Sequence, residues 1–93
     1  MRTQTVTVAN ALGLHARAAA RFVHAASGFA CRVTVMREDR LDRVVDGKSI
    51  LGLLLLAAAR GAAVRITVDG ADEADALLSL CRLVESGFEE GPC

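Results

Sequence analysis

A chain of 93 residues allows one compact domain. At that size about two-thirds of the unfolded surface is buried, which leaves no room for a deep cleft between domains. An apolar share of 53% is too high for disorder. The 11 Lys and Arg residues balance 11 Asp and Glu residues, and Trp and Tyr are absent, so a nucleic-acid binder's positive excess and stacking platforms are both missing.

Residues 3–8 alternate with period two and are rich in β-branched side chains, which predicts a half-buried strand. No apolar leader precedes them, so no signal peptide is expected. Gly13 breaks the pattern. From His15 to Ser27 the period becomes helical, with Ala19, Phe22, Val23 and Ala26 on one face and Arg17, Arg21 and His24 on another. Gly28 is the stop. Residues 31–36 alternate again, Glu38 and Asp39 mark a hairpin turn, and residues 41–45 return as a third strand. Asp46-Gly47-Lys48-Ser49 opens a short apolar helix that Gly61 closes.

That apolar run, 50–59, is far shorter than the ~20 residues that cross a bilayer, so membrane insertion is not expected. Residues 64–68 give the fourth strand and Asp69-Gly70 a turn. Asp72 and Glu73 sit in the first turn of a last helix, where carboxylates suit the positive dipole end. Its buried face is expected to be Ala74, Leu77, Leu78, Cys81 and Val84. Residues 1–88 form the domain and 89–93 a short tail. The order β-α-β-β-α-β-α predicts an α+β fold, an open-faced sandwich with a four-stranded antiparallel sheet and three helices on one face. Each strand alternates as it does in a sheet wet on its other side.

The three cysteines, Cys31, Cys81 and Cys93, are odd in number and widely spaced. They form no metal-ligand pair, so no metal site, disulfide framework or cofactor is expected. Free thiols fit a cytoplasmic protein, with Cys31 and Cys81 in the core and Cys93 in the tail.

Chemistry concentrates in Gly13-Leu14-His15-Ala16-Arg17. His15 falls where a loop becomes a helix, and the first-turn N–H groups there lack helical partners. They carry about half a positive charge, an anion site suited to a phosphoryl group. Arg17 adds a planar fork able to grip two phosphoryl oxygens. Positive surroundings favour the uncharged, nucleophilic imidazole. Attack on a phosphoryl donor then gives a phosphohistidine that the helix end and Arg17 stabilise. A histidine at a helix start also serves commonly as a plain cap or a solvated polar residue, and the residues alone leave these readings open. His24, on the polar face, reads as a solvated side chain.

The run Gly13-Leu14-His15-Ala16-Arg17 strongly resembles the active-site signature of the HPr family, the histidine-containing phosphocarriers of the phosphoenolpyruvate-dependent sugar phosphotransferase system. The likeness continues through Phe22-Val23, Gly47-Lys48-Ser49-Ile50-Leu51-Gly52-Leu53, Arg60-Gly61 and the segment from Gly70 to Leu77, covering nearly the whole chain. A few residues are added between the second strand and Ser49, near Arg40. The resemblance implies that His15 takes a phosphoryl group on Nδ1 from phosphorylated Enzyme I and passes it to IIA domains of sugar permeases, the carrier acting as a monomer. It departs at Ala18, where the family has proline. Alanine is an excellent helix former, so the helix start is expected to persist.

Lys48-Ser49-Ile50 resembles the family's regulatory phosphorylation site, served by HPr kinase/phosphorylase; on residue type alone Ser49 is an N-cap or first-turn residue. Phosphate there adds a charge of about −1.5 to −2 near the docking surface. Ala16, Ala20, Ile50, Leu51 and Leu54 are expected to form an apolar partner patch ringed by Arg17 and Arg21, while Leu53, Leu55 and Leu56 belong to the core. Two other readings stand beside the sugar carrier. One is a regulatory phosphorelay without a permease, and the other an anion-binding regulatory module in which His15 and Arg17 hold an anion without chemistry.

Overall fold

Val33, Val35, Val64, Ile66 and Val68 alternate along their strands toward one face, and all are buried. In the computed structural model, which describes residues 1–88, these residues floor a single antiparallel sheet. Its strands are β1 (Arg2–Thr7), β2 (Arg32–Arg37), β3 (Arg40–Asp46) and β4 (Ala63–Asp69), in the spatial order β1-β4-β2-β3. Opposite Val35 in the register lie Ile66 and Val45, and opposite Val6 lies Val64. The other face is polar, with Thr3 paired to Thr67 and Thr67 to Thr34. On that face Arg65 grips Glu38 with two parallel bonds of 2.9 Å, and Thr5 donates to the same carboxylate at 2.7 Å.

The helices α1 (Ala16–Ser27), α2 (Ile50–Leu56) and α3 (Glu73–Glu85) cover the apolar face. α3 packs over β1 and β4, α2 over β2 and β3, and α1 packs against both other helices. The element order and the open-faced sandwich match the expectation from sequence. Residues 89–93, read above as a tail, lie outside the described residues. No helix among the described residues is long and apolar enough to cross a membrane.

Four details differ from the sequence reading. α2 ends at Leu56, with Ala57 in the left-handed region, and Gly61 belongs to the following turn. Leu55 is 58% exposed rather than buried. A two-turn helix offers the core one narrow stripe, and Leu53 and Leu56 fill it. In α3 the buried row is Ala76, Leu80, Cys81 and Val84, with Leu77 partly covered, while Ala74 and Leu78 face solvent. Finally, β3 lacks the expected alternation. It is an edge strand, and only Val45 along it is partly buried. Beyond α3, Gly87 and Phe88 both take positive φ, which turns the Phe88 ring into the core.

Candidate functional site

The loop before α1 is built to place one side chain. Gly13 has φ +67, and a Cβ on it would stand 2.6 Å from the Ala58 carbonyl and 2.8 Å from Ala59 Cα. Only glycine allows that approach. The Leu14 N–H donates to the Ala58 carbonyl at 2.8 Å, and Asn10 Nδ2 donates to the Gly13 carbonyl at 2.6 Å. Leu14 is buried, so the chain emerges at His15 with its direction fixed from both sides.

His15 is the N-cap of α1, in extended backbone conformation. Its carbonyl accepts from the Ala19 N–H at 2.8 Å, the first bond of the helix. Its Nδ1 accepts from the Arg17 N–H at 3.2 Å. The ring is half-buried and stands at the helix mouth, where the sequence placed it. An Nδ1 that accepts a hydrogen bond presents a lone pair in the ring plane, and such a lone pair can act as a nucleophile. Arg17 is exposed one residue into the helix. Ala18 is fully buried, and α1 begins at Ala16 with alanine in its third position.

Ser49 is the N-cap of α2, and its Oγ accepts from the Gly52 N–H at 3.1 Å. The Lys48 ammonium beside it donates to the Phe29 carbonyl at 2.8 Å. Ala16 and Ala20 are exposed on α1, and Ile50, Leu51 and Leu54 on α2, two helices that pack together. Two further leucines are exposed, Leu12 in the loop before His15 and Leu55 one turn beyond Leu51. The signal for Leu55 was its i+4 spacing from Leu51. Burial pushes the Cys31 and Cys81 thiols up, and hydrogen bonding to Asp72 adds to the effect at Cys31. Both are therefore poor nucleophiles. No group of three His, Cys, Asp or Glu side chains able to hold a metal occurs among the described residues.

Fold and site together define a class: a small α+β domain that presents one imidazole at a helix N-terminus beside an arginine. The family model for the phosphorylation site of the HPr component of the phosphotransferase system matches residues 2–86. The chain is 44% identical over 91 residues to the phosphocarrier protein HPr of Pseudomonas putida, covering 98% of this chain and 99% of that one. It is 45% identical over 91 residues to HPr of Neisseria meningitidis serogroup B, with the same coverage. The crystal structure of HPr-C-His from Thermoanaerobacter tengcongensis superposes with a TM-score of 0.90 at 37% identity, covering 99% of this chain and 100% of that one. The chain belongs to the HPr family, and its function is that of a phosphocarrier of the phosphotransferase system.

Proposed function

We propose that His15 carries the phosphoryl group on Nδ1, taking it from phosphorylated Enzyme I and passing it to IIA domains of sugar permeases in the cytoplasm. The observation that carries this reading is the Nδ1 lone pair held at the mouth of α1 by the Arg17 N–H. In the transfer that lone pair attacks phosphorus, the N–P bond forms, and the donor's bond to phosphorus breaks with its electron pair returning to the donor. The ring's other nitrogen keeps its proton, so no base is required. The Arg17 N–H then passes from nitrogen to a phosphoryl oxygen. The 3.2 Å bond it leaves is a long one, and the new acceptor is charged, so the exchange favours the phosphorylated state. The Arg17 guanidinium and the helix dipole stabilise the added negative charge.

The exposed Ala16, Ala20, Ile50, Leu51 and Leu54 supply the docking surface for both partners, with the carrier acting as a monomer. Ser49 is a regulatory phosphorylation site for an HPr kinase/phosphorylase. Phosphate on its Oγ keeps the first-turn N–H groups of α2 as donors and places negative charge beside the apolar patch.

The test is incubation with phosphoenolpyruvate and Enzyme I. The expected product is an acid-labile, base-stable adduct that disappears in His15→Ala. An adduct that survives His15→Ala refutes the site. No adduct in the parent chain favours the anion-binding module instead.

A further inference from the structure

α1 and α3 pack together, and between them runs a groove of about 920 Å³. One bank carries Arg17, Arg21 and His24, at i, i+4 and i+7 on a single row of α1. The other carries Leu78 and Arg82, at i and i+4 on α3. Ala20 lines the space as well. Three guanidinium groups thus meet one carboxylate, that of Asp75. The whole chain has a net charge of zero, so this excess is local. Arg21 is fixed in place, because its Nη1 donates to the Phe88 carbonyl at 2.6 Å.

Leu78 gives the groove its second character. The core takes Ala76, Leu80, Cys81 and Val84 from α3 and leaves Leu78 52% exposed. An unburied leucine one turn from Arg82, facing the cation row of α1, matches a ligand that combines apolar and acidic side chains.

We propose that the α1–α3 groove docks an acidic amphipathic helix of a partner protein. The apolar ridge of that helix lies over Leu78 and Ala20, and its carboxylates meet Arg17, Arg21 and Arg82. Two packed helices form the kind of trough that receives a third through anchors spaced one turn apart. The cation rows set orientation and association rate, and the leucine contact holds the complex. Nucleic acid fits less well, since no aromatic side chain lines the groove to stack a base. The groove shares Arg17, Ala20 and Arg21 with the edge of the patch described above, and Leu78 and Arg82 are its own.

The test is a backbone amide NMR titration of the full chain with a 12-residue Glu/Leu amphipathic helical peptide. Parallel titrations use the Lys/Leu version and a 12-nucleotide oligothymidylate. The acidic peptide is expected to move the amides of Ala20, Arg21, His24, Leu78 and Arg82, and the other two probes to leave them in place. Leu78→Ser and Arg82→Gln change exposed side chains and are expected to keep the parent fold by circular dichroism. Each is expected to weaken the acidic peptide by at least about threefold, in line with a rim charge or a partly exposed contact, while Leu51→Ser leaves its affinity unchanged. The proposal is overturned by shifts centred on residues 50–54, by equal affinity for the Lys/Leu peptide or the oligonucleotide, by undiminished binding in both variants, or by no shift at millimolar peptide. Concentration-dependent shifts of the same amides without any peptide assign the groove to a second copy of the chain, and likewise overturn it.

Discussion

The backbone N–H of Arg17 donates to Nδ1 of His15 at 3.2 Å, so the ring atom that caps α1 is the same one that carries the phosphoryl group in the function proposed above. Arg17 gives its N–H to the ring, and its own side chain is exposed. Of the readings left open by the residues, the cap is the one the hydrogen bond shows, and the proposed nucleophile is the same atom.

Two substitutions separate those roles. His15→Ala removes cap and nucleophile together, and is expected to lower stability by about 1 kcal/mol, the usual value of an N-cap side chain. His15→Asn supplies a good capping oxygen and is expected to hold stability within about 0.5 kcal/mol of the parent. Neither variant is expected to take up phosphate from Enzyme I. Urea denaturation beside a phosphorylation assay checks both. An equal stability loss in the two variants would show that capping is not what the ring contributes to the fold.

Gly13 and Gly61 share a positive φ but not a neighbourhood. A Cβ at Gly13 meets the backbone of Ala58 and Ala59 under 3.0 Å, whereas at Gly61 nothing lies within 4 Å. Gly61→Ala therefore meets only the left-handed backbone penalty, about 1–2 kcal/mol. Gly13→Ala adds a clash with backbone that cannot step aside, and a loss of about 3 kcal/mol or more is expected. It also pushes on the Leu14–Ala58 tether, so phosphorylation of His15 should slow even where the chain stays folded. Denaturation midpoints for the two variants decide it, and similar losses would contradict the close approach.

The strand and helix order was legible because each element carries its own period, and the place of the candidate site at the start of α1 because glycine, histidine and arginine fall together at a change of period. Which side of α3 faces the sheet was not legible. Leu77, Leu78, Leu80 and Cys81 offer two overlapping apolar rows, and local sequence does not choose between them. Packing over β1 and β4 chooses, and it takes Ala76 and Leu80. Leu80→Ala is accordingly expected to cost about 2–5 kcal/mol, as for a fully buried leucine. Leu78→Ala should stay within about 0.5 kcal/mol of the parent. The reverse order would restore the face expected from sequence. The solvent exposure of Leu55 and of most of β3 was hidden for a related reason: a short helix and an edge strand carry apolar residues that the core has no room to use.

Acid should unfold this protein through its surface carboxylates. Hydrogen bonding from Arg65, with help from Thr5, holds Glu38 below the usual carboxylate range. Asp39 is held down by Arg37, Glu73 by the Gly70 N–H, and Asp72 by the N–H groups of Ala30 and Cys31 at 2.7 and 3.0 Å. A carboxyl depressed in the folded state stabilises the fold above its unfolded value, and that contribution is lost as pH falls through the folded value. The melting temperature should therefore stay flat from neutrality to about pH 5 and decline below about pH 4. The four groups lie at the surface, where solvent and salt screen them, so the decline should be gradual. Asp72→Asn removes the group that ties the start of β2 to the start of α3. It should lower the melting temperature at neutral pH and make the acid limb shallower. An acid limb of unchanged slope in that variant would mean that the Asp72 carboxylate contributes nothing to the pH dependence.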